Sequence, residues 1–193
     1  MLKKMGSAVH RMHGRTVDGV PRWAVIAAYA ASLTVLPSCA WRIALGFGAP
    51  IGPFMGDIDD MRGDLPGWMP MWSYTILLSV LSEALAFLAV GLVSQWGDVF
   101  PRWVPLLRGR RVPTLAAVLP AAAGATVLTV GTLAMATTLN EFTAPDGSTV
   151  YLEGWRLVLF VASYGPLLLW GPLLAVATVA YYLRRTRAPL PQT

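Results

Sequence analysis

TILLSVLSEALAFLAVGLV, residues 75–93, decides the fold. It is apolar apart from Thr75, Ser79, Ser82 and one charge, Glu83. About 20 such residues cross the ~30 Å hydrocarbon layer of a bilayer as a helix. Backbone groups in lipid must be satisfied within the segment. The stretch also lacks the alternation of a barrel strand, so it reads as a membrane-spanning helix.

Three more runs of this kind follow from working outward along the chain. The spans are placed at 23–45, 72–94, 113–138 and 155–183. Composition agrees, with 55% of the 193 residues hydrophobic and only 13% charged. A soluble domain carries about a quarter charged residues. The expected fold is all-α, a four-transmembrane-helix bundle forming a single domain over 1–193, with a long loop between spans one and two.

The charges that remain are unevenly placed. Lys3, Lys4, Arg11, Arg15 and Arg22 precede span one, Arg102, Arg108, Arg110 and Arg111 lie between spans two and three, and Arg184, Arg185 and Arg187 end span four. The loops 46–71 and 139–154 hold seven acids and only Arg62 against those twelve cations. By the positive-inside rule both termini are expected to be cytoplasmic, in a multi-pass protein of the cell membrane. The basic balance then reflects topology and contact with anionic membrane lipid, and no nucleic-acid partner is implied.

A single cysteine excludes an internal disulfide and dithiol redox chemistry. His10 and His13 both precede span one, so no intramembrane histidine is left as a haem ligand. No cofactor and no metal site is implied, and the oligomeric state is left open. LPSC, residues 36–39, has the outline of a lipoprotein cleavage box. The apolar run continues through AWRIALGF after Cys39, however, so it reads as an uncleaved span with a kink near Pro37.

The loops are more than linkers. Trp96, Phe100, Trp103 and Leu107 recur at helical spacing in the central loop and predict an interfacial segment. The loop 46–71 is long, acidic and greasy, as a fold-back lid would be. APDGSTV, 144–150, is a turn signal for a small hairpin. Span three has Ala117, Ala121 and Ala125 at i+4 steps and Thr126, Thr129 and Thr132 at i+3 steps, faces suited to close helix packing. Pro120, Pro166 and Pro172 are placed to bend spans three and four.

Glu83 is the leading candidate for chemistry. It falls near the bilayer midplane, where an ionised acid is costly and intramembrane acids commonly mark function. Removal from water favours its neutral form, a proton donor awaiting a base. The alternative is interhelical glue, with Glu83 hydrogen-bonded to Thr34, Thr126 or Tyr164 at similar depth. Arg42 is the nearest candidate counter-ion. Its depth favours snorkelling outward over reaching in to Glu83. Asp59 and Asp60, within the DIDD of 57–60, form a competing donor pair. An acidic loop in water is the plain reading of the same residues, and the spacing does not fit an EF-hand. Tyr29, Phe87, Tyr164 and Trp170 lie deeper than the interfacial aromatics. With Arg42 they are the candidate substrate-binding residues, their faces able to stabilise a cation. Ordinary core packing is the competing reading for each.

SEALAFLAVGLVSQWGDVFPRWVP at 82–105 and GRRVP at 109–113 lie between LPSCAWRIAL at 36–45 and YGPLLLWGPLLAVATVAYY at 164–182. Together these stretches resemble a group of small four-span actinobacterial membrane proteins. The group includes non-canonical membrane terpene cyclases of indole-terpenoid type pathways. The resemblance covers most of the chain in general pattern and implies a lipophilic prenyl or epoxyprenyl substrate. It transfers no residue roles, so Glu83 is assigned from its own placement. Two other readings stand beside a cyclase: a proton-coupled exporter of a lipophilic or cationic compound, and a non-catalytic membrane scaffold or partner protein.

Overall fold

Span one divides in two. The computed structural model describes residues 16–17, 19–53, 66–94, 97, 112–143 and 147–187. In it, helix α1 runs Arg22–Leu33 and α2 runs Leu36–Gly46, joined by a turn at Thr34–Val35. Pro37 sits in the first turn of α2, where a missing N–H is tolerated, yet it leaves no donor for the carbonyl of Leu33. The expected kink near Pro37 is therefore present. Both halves still form one crossing of 25 residues.

Span two is the unbroken helix α3, Met71–Gly91, and span three is α4, Thr114–Thr137, which absorbs Pro120. Strands β1 (Glu141–Thr143) and β2 (Thr149–Tyr151) pair antiparallel, with Glu141 opposite Tyr151. Gly147 in their turn has φ +83°, a conformation that glycine adopts without strain. This is the hairpin that APDGSTV foretold. Span four is α5 (Gly154–Tyr164), a 3₁₀ turn (Gly165–Leu169) and α6 (Trp170–Thr186). Pro166 at the start of that turn breaks the α-helical ladder. All four helical spans lie within three residues of their expected limits and are long and apolar enough to cross a membrane. The interfacial segment expected in the central loop and the acidic stretch 57–60 lie outside the described residues.

Lipid gives no hydrophobic drive to helix association, so small side chains and close contact decide the packing. Ala24 and Ala28 of α1 lie between Leu92 and Val93, which follow α3, and Ala177, Ala180 and Tyr181 of α6. Helix α4 packs chiefly on α6, while α2 packs on α3 and α5. The spans therefore stand in the spatial order two, one, four, three, and two and three share no principal contact among the described residues. Leu77, Val80, Leu119, Val127 and Val130 are mostly exposed and face outward, as lipid-facing side chains do. Trp23, Trp68, Trp72 and Trp155 are exposed near helix ends, where an aromatic belt forms. One end of the bundle gathers Thr16 paired with Ser94 and Arg185 donating to the Val112 carbonyl. The opposite end carries the hairpin.

Two glycines set the closest helix approaches. A Cβ on Gly46 of α2 would collide with Oγ1 of Thr75 on α3. Gly46→Ala should lower the thermal stability of the purified protein by about 1–3 kcal/mol, as overpacking does. Adding Thr75→Ala should restore part of it, because the threonine Cβ would still lie 3.1 Å away. An unchanged melting temperature for Gly46→Ala would show that α2 and α3 do not pack this closely.

Candidate functional site

The two helix breaks meet. Val35 and Cys39, at the break of span one, share a buried cluster with Leu167 and Trp170, at the break of span four. Ala86 and Ala89 of α3 close this cluster, and half-buried Tyr164 packs against it. A polar seam runs beside it between α2 and α3, built from Ser38, Cys39, Arg42, Ser79 and Ser82.

The hydroxyl protons of the seam are already used. Ser38 donates to the Val35 carbonyl at 2.8 Å, Ser79 to Thr75 at 2.7 Å and Ser82 to Leu78 at 2.7 Å. The Cys39 thiol is turned to the Ser79 carbonyl at 3.6 Å. Only acceptor lone pairs remain, and Arg42 turns to them. Its Nη2 lies 3.4 Å from Ser38 Oγ, 3.4 Å from Ser82 Oγ and 3.5 Å from Cys39 Sγ. The two oxygen contacts are long against the usual 2.7–3.2 Å, and all three join the charge only to neutral groups. Nε of Arg42 is buried with no hydrogen-bond partner.

The outward reading of Arg42 is thus corrected: the side chain points inward. Helical Cα–Cβ bonds lean toward the helix N-terminus. Helix α2 starts at the break in mid-span, so that direction leads Arg42 back toward Ser38, away from the hairpin end. Ser82 sits near the centre of α3, about 16 Å from its start and about 14 Å from its end at 1.5 Å per residue. The guanidinium accordingly reaches the middle of the bundle, but it does not reach Glu83.

Glu83 is half-buried and follows Ser82 around α3, on the flank of the stripe formed by Thr75, Ser79, Ala86 and Ala89. Its Oε2 is buried with no hydrogen-bond partner. The expected glue is absent among the described residues. Thr34 donates to its own helix at Ala31, and Thr126 to its own helix at Ala122. A hydroxyl satisfied by its own i−3 or i−4 carbonyl has no proton left for a carboxylate.

The aromatics divide. Trp41, Phe160 and Tyr164 form one knot, with Phe160 and Tyr164 stacked at 4.4 Å and Trp41 edge-on to each at 5.4 Å. Phe142 of the hairpin joins edge-on to Phe160 at 5.4 Å. Tyr164 packs against both this knot and the cluster holding Trp170, so two of the predicted substrate-binding residues come together. Phe87 is exposed on α3, and Tyr29 is half-buried on α1 outside the three core clusters. Asp59 and Asp60 lie outside the described residues. The indole nitrogens of Trp41 and Trp170 are buried without partners.

Sequence reasoning missed Ser38, Cys39, Ser82, Trp41 and Phe160. The i, i+4 spacing of Ser38 and Arg42 was a legible signal. The contact of Arg42 with Ser82, forty positions away, had none. Between α4 and α6 a lipid-facing groove of about 370 Å³ is lined by Ala122, Ala125, Thr126, Thr129 and Thr178, among others. Its lining includes none of the predicted site residues. Cys39 is buried within the second half of span one. No family model matches this chain, and neither the curated proteins nor the solved structures contain a match to it.

Proposed function

We propose that this chain is a membrane-embedded terpene cyclase in which Glu83 is the general acid. The observation that carries the reading is the carboxyl of Glu83 in mid-span, with an occluded oxygen that no donor or cation engages. Arg42, the group best able to hold it ionised, lies instead against Ser38, Cys39 and Ser82 and makes no ion pair with Glu83. A carboxyl in that setting keeps its proton until a substrate base takes it. A prenyl substrate enters from the bilayer. The Glu83 proton passes to its epoxide oxygen or terminal alkene carbon, and the carbocation closes onto neighbouring double bonds. Tyr164, Trp170, Phe87 and Tyr29 are the candidate aromatic faces for the cation. Loss of a proton from the cyclised cation to the Glu83 carboxylate restores the acid, so the net change is isomerisation. Asp59 or Asp60 is the competing donor. The group of four-span membrane proteins that the sequence resembles includes terpene cyclases, which suits this reading. Membranes containing the protein should convert epoxidised prenyl substrates to cyclised products. Absence of cyclised product across a panel of such substrates would sink the reading.

The paired helix breaks favour a second reading, proton-coupled export, because discontinuous helices commonly form midplane transport sites. Substrate-dependent proton release from purified protein, without product formation, would select it.

The charge asymmetry supports an orientation in the cytoplasmic membrane with both termini inside. Ser148→Cys should then react with an impermeant maleimide in intact cells, and Arg187→Cys only after permeabilisation. The reverse pattern would invert the topology.

A further inference from the structure

Arg42 is a cation in mid-span with no counter-ion among the described residues. Among the described residues no carboxylate pairs with it; its Nη2 contacts three neutral groups, two of them oxygens at a long 3.4 Å, and its Nε has no partner. A charge removed from water and left unpaired costs several kcal/mol, so such groups are almost always matched. Two further donors lie in the clusters on either side of the seam. The indole N–H groups of Trp41 and Trp170 are buried and unpartnered. Cys39, which touches Arg42, belongs to the same cluster as Trp170, and Trp41 packs on Tyr164, which joins that cluster. The hydroxyl protons of Ser38, Ser79 and Ser82 are spent on backbone carbonyls. What the seam offers Arg42 is therefore neutral acceptors only, with no negative charge among the described residues to balance the cation. Neutral hydroxyl and thiol neighbours cannot supply what is missing; an anion can.

We infer that Arg42 is the recognition site for the carboxylate of a lipophilic acid, whose apolar body lies along the Trp41, Tyr164 and Trp170 surfaces. A planar guanidinium pairs with a carboxylate through two parallel hydrogen bonds. One cation balances one negative charge, which a carboxylate carries. A diphosphate brings more charge than the single arginine of this seam can neutralise, and burial penalises the excess. The inference names the class of ligand. It does not depend on the cyclase reading, because binding is measured without turnover.

The test is ligand binding to the purified full chain in phosphatidylcholine nanodiscs. The probes are a fluorescent polyunsaturated fatty acid, its methyl ester, and an alkyl monophosphate of equal chain length. The carboxylate should bind, with the methyl ester and the alkyl phosphate at least about tenfold weaker. Arg42→Gln should lower carboxylate affinity by about 10- to 100-fold, the range for a lost charge-assisted hydrogen-bond pair. Arg42→Lys should recover part of it, and Val127→Ala, on the exposed face of α4, should stay within a few fold of wild type. Equal binding of acid and ester, or undiminished binding by Arg42→Gln, would overturn the site. Preference for the alkyl phosphate would overturn the carboxylate assignment and favour a phospholipid headgroup. If Arg42→Gln fails to fold, the ester comparison and the Arg42→Lys affinity decide the matter. Cyclisation by a protein that ignores the acid would refute this inference alone.

Discussion

Glu83→Gln should cut the rate of substrate cyclisation by 10²–10⁴-fold, the usual contribution of a positioned general acid. Glutamine keeps the size and polarity of the side chain but has no acidic proton to give. The structural cost should be small, because Glu83 makes no hydrogen bond among the described residues that the substitution could break. The variant should therefore express and melt like wild type while losing turnover. Glu83→Asp should retain intermediate activity, since it keeps the proton and moves it by one methylene. Single-turnover product analysis with an epoxyprenyl substrate, beside a melting curve, separates the two effects. Full activity in Glu83→Gln would remove the residue from the donor role and leave Asp59 or Asp60 to be tested in the same way.

Gly171→Leu should detach span three from the bundle. A Cβ at Gly171 of α6 would collide with Thr129 Oγ1 and stand 2.7 Å from the Thr129 nitrogen and 2.8 Å from the Ala125 carbonyl. Two of these are backbone atoms of α4, which cannot rotate away as a side chain can. Helix α4 has its main contacts with α6 and the adjoining 3₁₀ turn, so nothing else compensates if this seam opens. Overpacking costs about 1–3 kcal/mol where neighbours yield, and more is expected against backbone. Gly131→Leu is the control: the same substitution on α4 itself, at a position with nothing within 4 Å of the new Cβ. It should stay within about 0.5 kcal/mol of wild type. Limited proteolysis and melting in detergent would report both. Equal destabilisation by the two variants would mean that the cost arises from leucine in a glycine site and not from the α4–α6 approach.

How much of this was legible beforehand differs by residue. The small-residue face of span three was readable: Ala125 is buried, and Ala117 and Ala121 pack against the α1–α6 cluster. The kink near Pro37 and the hairpin over APDGSTV were readable because proline and glycine act on their own backbone. Arg42 was misread because depth alone was weighed. Its direction follows the N-terminal lean of helical side chains, which leads it back one turn to Ser38 and toward the neighbouring Ser82 of α3. The isolation of Glu83 was equally hidden, since it depends on where the hydroxyls of Thr34 and Thr126 spend their protons.

By itself the sequence determined four helical spans, their limits and the position of one acid at mid-depth. These depend on local hydropathy, on length and on the rule that backbone groups in lipid bond within their own segment. Only the tertiary structure decided that the spans stand in the order two, one, four, three, that two broken helices meet, and that Arg42 turns to Ser82 and leaves Glu83 alone. Those outcomes rest on contacts between side chains far apart in the chain, made where Gly46 and Gly171 let helices touch, and no pattern along one segment encodes them.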